Sequence, residues 1–148
     1  IVRSSAPRVP EKAIGSPHLR AEMEERIRLF TGNEYSNIMI CSVAKNLNSS
    51  WTQAGFLEGK ANKKRVQPRL EFSNIAMAFF LAHLDGWRGE SMFDTQWIRL
   101  LDRPREEIMQ LAEGASKNGI IHLMSSGGVL EVRFPGWLKP EEERWFSE

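Results

Sequence analysis

The sequence predicts an α+β protein that is mainly helical. In several segments apolar residues recur every three or four positions, which is the spacing of amphipathic helices. One stretch, 119–138, instead alternates apolar and polar residues around a Ser-Ser-Gly-Gly turn, as β-hairpins do. With 148 residues, the chain can form one ordinary domain or two small units.

The composition excludes several classes of protein. Apolar residues make up 41% of the chain and charged residues 26%, which is ordinary for a globular protein. The longest apolar run, 75–82, is too short to cross a bilayer, so no membrane partner is expected. Cys41 has no second cysteine to pair with, and we expect a cytoplasmic location. The chain begins at Ile1 rather than Met, which leaves open that it is part of a longer protein.

Charge is distributed unevenly along the chain. Residues 1–72 contain 12 Lys or Arg and 7 Glu, a net charge of +5, whereas residues 73–148 contain 8 Lys or Arg and 12 Asp or Glu, a net charge of −4. Such asymmetry indicates that the first half faces an anionic partner. We therefore look for a nucleic-acid site in residues 1–72.

The first residues predict an arm followed by a helix. Residues 1–17 contain three prolines and scattered cations, which indicates a flexible basic arm. A helix is expected from about residue 18 to a stop at Gly32. Its inward positions, at helical spacing, are Leu19, Met23, Ile27 and Phe30.

The segment 35–57 resembles a helix-turn-helix. A first helix is expected over 35–46, and Asn48-Ser49 is typical of a turn and an N-cap that begin a second helix. Near the start of the second helix, side chains that can bond base edges or phosphates are expected to be exposed. These are Ser50, Thr52 and Gln53. The residues 18–72 are therefore predicted to form a helix-turn-helix-like unit.

A basic loop follows this segment. Within 60–69 there are five cations and no acidic residue. They are Lys60, Lys63, Lys64, Arg65 and Arg69. A cluster of cations after a recognition helix is typical of a loop that contacts DNA phosphates, so we predict that this loop binds the DNA backbone.

The residues 73–138 predict a second unit. Ser73 is expected to cap a buried helix, and Asp94 or Thr95 a short one. A third helix, 104–118, precedes the hairpin. This order resembles the winged helix-turn-helix superfamily, so residues 73–138 are expected to form a winged helix with a C-terminal β-hairpin. The residues 139–148 are expected to form an acidic tail or a short helix.

The resemblance implies that the third helix enters the major groove and that the hairpin touches the backbone. The second unit departs from that pattern, because the hairpin tip carries no cation and the exposed helix face mixes charges. That face comprises Arg105, Glu106, Met109, Gln110, Glu113 and Lys117. We therefore expect residues 73–148 to support assembly, as a homodimer or within a protein complex.

We identify no complete enzymatic motif in the sequence. Glu58-Gly59-Lys60 is a Glu-x-Lys of the kind found in metal-dependent nucleases, but these need an earlier acidic ligand. All three aspartates lie downstream, and Glu34 lies where a helix should start. The three histidines and one cysteine have no metal-ligand spacing. We expect no catalytic residues, no metal and no cofactor.

The sequence thus favours a non-enzymatic protein that binds double-stranded DNA, as a transcriptional regulator or a DNA-associated accessory subunit. The alternative is a protein-interaction adaptor, or a subunit of a larger complex, that does not contact nucleic acid.

Overall fold

The computed structural model of the chain describes residues 9–146, which form an α+β fold that is about 54% helical. The predicted fold class, mainly helical α+β, is confirmed at this level. The chain divides into two compact units, Ile1–Arg69 (unit 1) and Leu70–Glu148 (unit 2), whereas the sequence places the boundary after residue 72. No helix within 9–146 has the length and apolar character that a membrane span needs.

Unit 1 contains, in chain order, a 3-10 helix at Val9–Glu11, strand β1 at Pro17–His18, helix α1 at Arg20–Thr31, helix α2 at Asn37–Gln53, strand β2 at Leu57–Glu58 and strand β3 at Lys63–Arg65. The strands form an antiparallel sheet with the order β1-β3-β2. Its small apolar core consists of Val9, Met23, Ile27, Ile40, Ala44, Phe56 and Leu57.

Helix α1 confirms the predicted end at Gly32 but only half of the predicted inward face. Gly32 adopts the left-handed conformation, with φ 61°, that commonly closes a helix. Met23 and Ile27 are buried, but Leu19 and Phe30 remain 58% and 62% exposed. The two exposed residues lie at the ends of the helix, beyond the region that packs on the core.

Helix α2 corrects the predicted helix-turn-helix within 35–57. It is one continuous helix, capped by the Ser36 hydroxyl, which accepts a hydrogen bond from the Met39 N–H. No turn occurs at Asn48, because this side chain is buried and its Oδ1 lies 2.9 Å from Nε2 of His18 on β1. A polar residue that is locally typical of a turn is therefore held inside the helix by a partner from β1.

The predicted arm 1–17 is also corrected in part. Residues 1–8 lie outside the described residues, but residues 9–17 pack on unit 1 instead of forming a mobile arm. Val9 is buried, and Pro17–His18 pairs with β3. Lys12 further ties this segment to α1 through an ion pair with Glu22. Lys12 donates a hydrogen bond to that carboxylate, which lowers the pKa of Glu22.

Unit 2 contains helix α3 at Phe72–Leu84, a 3-10 helix at Gly89–Asp94, helix α4 at Gln96–Arg99, helix α5 at Arg105–Lys117, strands β4 and β5 at His122–Ser126 and Val129–Arg133, helix α6 at Pro140–Glu143 and a 3-10 helix at Arg144–Phe146. Helix α3 is largely buried, as predicted, but Glu71 rather than Ser73 is its N-cap. Glu71 and Asn74 form a reciprocal capping box, which satisfies two N–H groups, whereas Ser73 alone would satisfy one.

The predicted third helix and hairpin of unit 2 are confirmed as α5 and β4-β5. The two strands are antiparallel, and Leu123 pairs with Val132 on one face while His122 pairs with Arg133 on the other. Gly127 and Gly128 make the turn with φ angles of 58° and 82°, which other residues adopt with difficulty. The predicted short helix is α4, which Thr95 caps.

Candidate nucleic-acid interface

Helix α2 presents a long face to solvent that is apolar in its first turn and polar from Ser42 onward. Its buried side contains Ile40, Ala44 and Asn48, which follow one another every four residues. The opposite, exposed side lies at the complementary helical positions. It comprises Ile38, Met39, Ser42, Lys45, Asn46, Ser49, Ser50 and Gln53.

This face contains no carboxylate. The sequence has no Asp or Glu anywhere from residue 35 to residue 57, and Lys45 is the one cation in that run. A surface of amides and hydroxyls without acidic groups does not repel phosphates and offers donors and acceptors to base edges. Ser42, Asn46, Ser49 and Gln53 follow one another every three or four residues and therefore lie on one side of α2. Among the described helices of unit 1, this is the one extended surface of uncharged polar side chains that we identify.

The predicted base-contacting residues lie elsewhere on the helix than expected. Because α2 is continuous, Ser50, Thr52 and Gln53 occupy its last turn rather than the first turn of a second helix. The Ser50 hydroxyl donates to the Asn46 carbonyl and the Thr52 hydroxyl to the Asn48 carbonyl, at 3.0 and 2.7 Å. Thr52 is half-buried, so only Ser50 and Gln53 remain part of the exposed face.

The basic loop forms a β-hairpin beside this face. Strands β2 and β3 are joined by residues 59–62, with Gly59 at φ 109°. A Cβ at position 59 would collide with the backbone carbonyl of Asn62, so the turn requires glycine here. Lys60 is exposed at the tip of the loop. We call β2, residues 59–62 and β3 the basic hairpin.

Lys63 joins the basic hairpin to α2. Its ammonium group donates hydrogen bonds to the Thr52 hydroxyl and the Gly59 carbonyl, both at 2.9 Å. Two residues that the sequence predicts as separate contacts, Thr52 and Lys63, are therefore brought together. The bond places a positive charge at the edge of the exposed α2 face.

Lys64 is exposed but partly neutralised. Its Nζ lies 3.7 Å from a carboxylate oxygen of Glu58 on the neighbouring strand, and both side chains are largely solvent-accessible. Exposed pairs of this kind are weak and exchange readily with other ions. Lys64 can therefore turn to an incoming phosphate at little cost.

Arg65 is not a phosphate contact, which corrects the prediction. Its side chain is fully buried, and Nε donates to the Val9 carbonyl at 3.0 Å while Nη1 donates to the carbonyls of Val66 and, at 3.4 Å, Phe56. The guanidinium also lies over the Phe56 ring, 5.1 Å from its centroid. Arg65 is thus a central residue of the unit 1 core, satisfied largely by backbone oxygens.

Arg69, the last predicted site residue, is exposed at the end of unit 1, four positions after β3 ends. The structure thus brings together Lys63 and Thr52 and leaves Lys60 and Lys64 exposed on the same hairpin. Sequence reasoning misses the middle of the α2 face, which comprises Ser42, Lys45, Asn46 and Ser49. The available signal is the acid-free run from 35 to 57.

Unit 2 presents a different surface. On α5 the Arg105 guanidinium stacks 4.3 Å from the Phe93 ring centroid and forms an ion pair with Glu90. The exposed residues Glu106 and Glu113 place negative charge on the same helix. The hairpin tip is Gly127-Gly128, without a cation. Among the described residues of unit 2, nothing matches the cationic hairpin of unit 1.

Unit 2 also contains an open cavity of about 800 Å³ beside β5. Phe80, His83, Arg88, Arg133 and Glu131 are among the residues that line it. Burial lowers the pKa of His83, and the nearby Arg88 charge acts in the same direction. The mixed charges favour no single class of ligand. Among residues 9–146, moreover, no three carboxylate, imidazole or thiol side chains gather as metal ligands.

Comparison with known proteins gives no family assignment. No protein-family model matches the chain, and neither a curated protein nor a solved structure matches it.

Proposed function

We propose that unit 1 is a winged-helix module that binds double-stranded DNA, with α2 in the major groove and the basic hairpin against the phosphates. The observation that carries this proposal is the acid-free polar face of α2 with a lysine hairpin bonded to its edge through Lys63 and Thr52. An α-helix fits the major groove of B-DNA, and flanking cations hold it in register. In this role the chain is a transcriptional regulator or a DNA-associated accessory subunit.

The order of elements supports the same proposal. In unit 1, two helices are followed directly by an antiparallel hairpin, and β1 extends the hairpin into a three-stranded sheet. The second of two such helices is the one that enters the groove in helix-turn-helix proteins. Unit 2 follows a similar order, and we propose that it is a winged helix that serves assembly, because its helix α5 and hairpin tip lack the cluster of cations that DNA requires.

A salt titration tests the proposal. The full chain is titrated onto a labelled duplex of about two helical turns between roughly 50 and 200 mM salt, with fluorescence anisotropy as the readout. We expect a steep loss of affinity with salt. The triple variant Lys60→Ala, Lys63→Ala, Lys64→Ala should reduce the slope of log K against log salt by about 2 to 3, since each lost phosphate contact contributes about 0.9.

A matched control removes the same charge from unit 2, through Arg99→Ala, Lys117→Ala and Arg133→Ala. This variant should leave the slope unchanged if DNA lies on unit 1. An equal loss in both variants contradicts the proposed location. Absence of binding at the lowest salt contradicts DNA binding altogether.

A second candidate function rests on a separate observation. Large apolar side chains are exposed where α1 ends and α2 begins, in the segment 29–39. They are Leu29, Phe30, Tyr35, Ile38 and Met39. Exposed apolar clusters mark protein interfaces, which favours the adaptor alternative. Under that alternative Leu29→Ser and Phe30→Ser would abolish self-association or complex formation in sedimentation measurements, while DNA binding would be absent in the unmodified protein.

A further inference from the structure

The exposed face of α2 carries only some of the side chains that read DNA bases. Amides are present at Asn46 and Gln53, and hydroxyls at Ser42, Ser49 and Ser50. There is no arginine on α2, and Arg65 of the basic hairpin is buried in the core. Lys45 is the single cation on the face.

This composition matches one class of base pair better than the other. In the major groove adenine offers an N7 acceptor and an N6 donor, which pair with the carboxamide of Asn or Gln through two hydrogen bonds. Guanine offers two acceptors and is most often read by Arg or Lys. The α2 face has two amides for adenine and one lysine for guanine.

Ile38 places an apolar side chain on the exposed side of α2. It precedes Asn46 by about two helical turns, and its side chain is 85% exposed. An isoleucine so exposed gains almost nothing from the core of unit 1. The thymine methyl group is the apolar feature of the major groove, and apolar side chains contact it.

We infer that α2 reads an A·T-rich duplex through its major groove, with Asn46 and Gln53 bonding adenine and Ile38 packing on a thymine methyl. This inference rests on the proposed function of unit 1 and adds the base preference. The lysines of the basic hairpin supply affinity without regard to sequence, so the preference comes from the α2 face alone.

Gln53 lies on the same exposed side of α2 as Ser49, and its Nε2 is 3.4 Å from the Ser49 hydroxyl oxygen one turn earlier. Gln53 and Asn46 are about two helical turns apart and share one side of the helix, as two base contacts from one helix require.

The test is a selection of sites from a random duplex library by the full chain, followed by affinity measurements on the selected duplex. We expect A·T-rich sites. Asn46→Ala and Gln53→Ala should each reduce the preference for the selected duplex over a G·C-rich one by roughly five-fold to a hundred-fold, the range for one bidentate contact. Lys60→Ala should weaken binding to both duplexes equally and serves as the control.

Modified bases locate the contacts independently of any effect of substitution on folding. Deazaadenine, which lacks N7, should lower affinity for the unmodified protein but not further for Asn46→Ala or Gln53→Ala at the position that each reads. Uracil in place of thymine should lower affinity for the unmodified protein and leave Ile38→Ala unaffected.

The outcomes separate the inference from the function on which it rests. Selection of G·C-rich sites, or equal binding to all duplexes, overturns the inference and leaves DNA binding intact. Insensitivity to deazaadenine and uracil despite an A·T preference overturns the major-groove contacts, since minor-groove or shape readout then accounts for it. Absence of binding to any duplex overturns both proposals.

Discussion

In both units an antiparallel hairpin follows a helix, α2 in unit 1 and α5 in unit 2, although two α-helices precede the hairpin in unit 1 and three in unit 2. These two helices expose different side chains. In unit 1 the helix before the hairpin, α2, has an acid-free face and the hairpin carries Lys60, Lys63 and Lys64. In unit 2 the corresponding helix, α5, has exposed glutamates and its hairpin turns on two glycines. The two units therefore differ in the side chains of one helix face and one hairpin more than in the type of element that carries them.

The two units also differ in their interiors. The largest effect that we expect from a substitution is on stability, in the interior of unit 1. Unit 1 buries the polar side chains of His18, Asn48 and Arg65, whereas among the described residues of unit 2 Thr95 is the one buried polar side chain. Arg65→Ala removes the hydrogen bonds of the guanidinium to the carbonyls of Val9, Val66 and Phe56 and leaves a cavity in the core, at a cost of about 3 kcal/mol in the free energy of unfolding. Urea unfolding, with peptide-resolved hydrogen exchange to assign the loss to unit 1, measures it.

Two controls accompany this prediction. Lys64→Ala, one residue earlier and exposed, should leave the stability of unit 1 within about 0.5 kcal/mol of the unmodified protein. Arg65→Lys should restore little, because an ammonium group cannot reproduce the several bonds of the guanidinium. If Arg65→Ala folds with unchanged stability, the buried network is not what holds unit 1 together.

The two hairpin turns differ in how strictly they need glycine. At Gly59, φ is 109° and a Cβ would meet the Asn62 carbonyl, whereas at Gly127, φ is 58° and a Cβ would meet no atom within 4 Å. We expect Gly59→Ala to cost about 2 to 3 kcal/mol and Gly127→Ala about 1 kcal/mol, both measured by chemical denaturation. Equal costs would remove this difference between the turns.

Each hairpin also carries an ion pair, which allows DNA binding by the two units to be compared directly. Glu58 pairs with Lys64 in unit 1, and Glu131 pairs with Arg133 in unit 2. Glu58→Gln releases Lys64 and removes a repulsive carboxylate, so DNA affinity should rise roughly two-fold to five-fold, the equivalent of a surface pair. Glu131→Gln should not change the affinity. A gain for Glu131→Gln alone would place DNA on unit 2.

The smallest effect that we expect is a dependence of the stability of unit 2 on pH. Burial lowers the pKa of His83 in the folded protein below its ordinary value of 6.5, so at acidic pH the unfolded chain binds more protons than the folded one. The stability contributed by neutral His83 is present above pH 6.5 and decreases as pH falls below it. Hydrogen exchange of unit 2 at about pH 7.5 and about pH 5.5, corrected for intrinsic rates, measures the change, and His83→Gln should flatten it. A steeper loss in His83→Gln would contradict the assignment.

The parts of the fold that the sequence predicts well have local causes. Helix α5 follows from its charged first turn and its apolar spacing, and the β4-β5 hairpin from alternation around two glycines. The sequence does not predict the continuity of α2, because Asn48 is held by His18, which lies 30 positions earlier. It places Arg65 on the surface because the carbonyl partners of this residue include Val9, which no local pattern connects to it.

The same distinction applies to the candidate interface. The charge of Lys60 and Lys64 and the surrounding turn residues predict exposed cations, and both side chains are exposed. The contact between Lys63 and Thr52 depends on the hairpin folding back along α2, which only the three-dimensional structure displays. A residue whose role depends on its neighbours in sequence can be recognised from the sequence, whereas a residue whose role depends on a distant partner cannot.

The bond between Arg65 and Val9 constrains how the chain folds during synthesis. The two residues are 56 positions apart, and β1 also pairs with β3, so Val9 and β1 cannot form these contacts until β3 has left the ribosome. The hairpin of unit 2, in contrast, joins strands that are separated only by Gly127 and Gly128. Long-range contacts slow folding because a large loop must close first. Unit 1 is the half of the chain that is synthesised first, but its folding cannot be completed until its last strand, β3, has been synthesised.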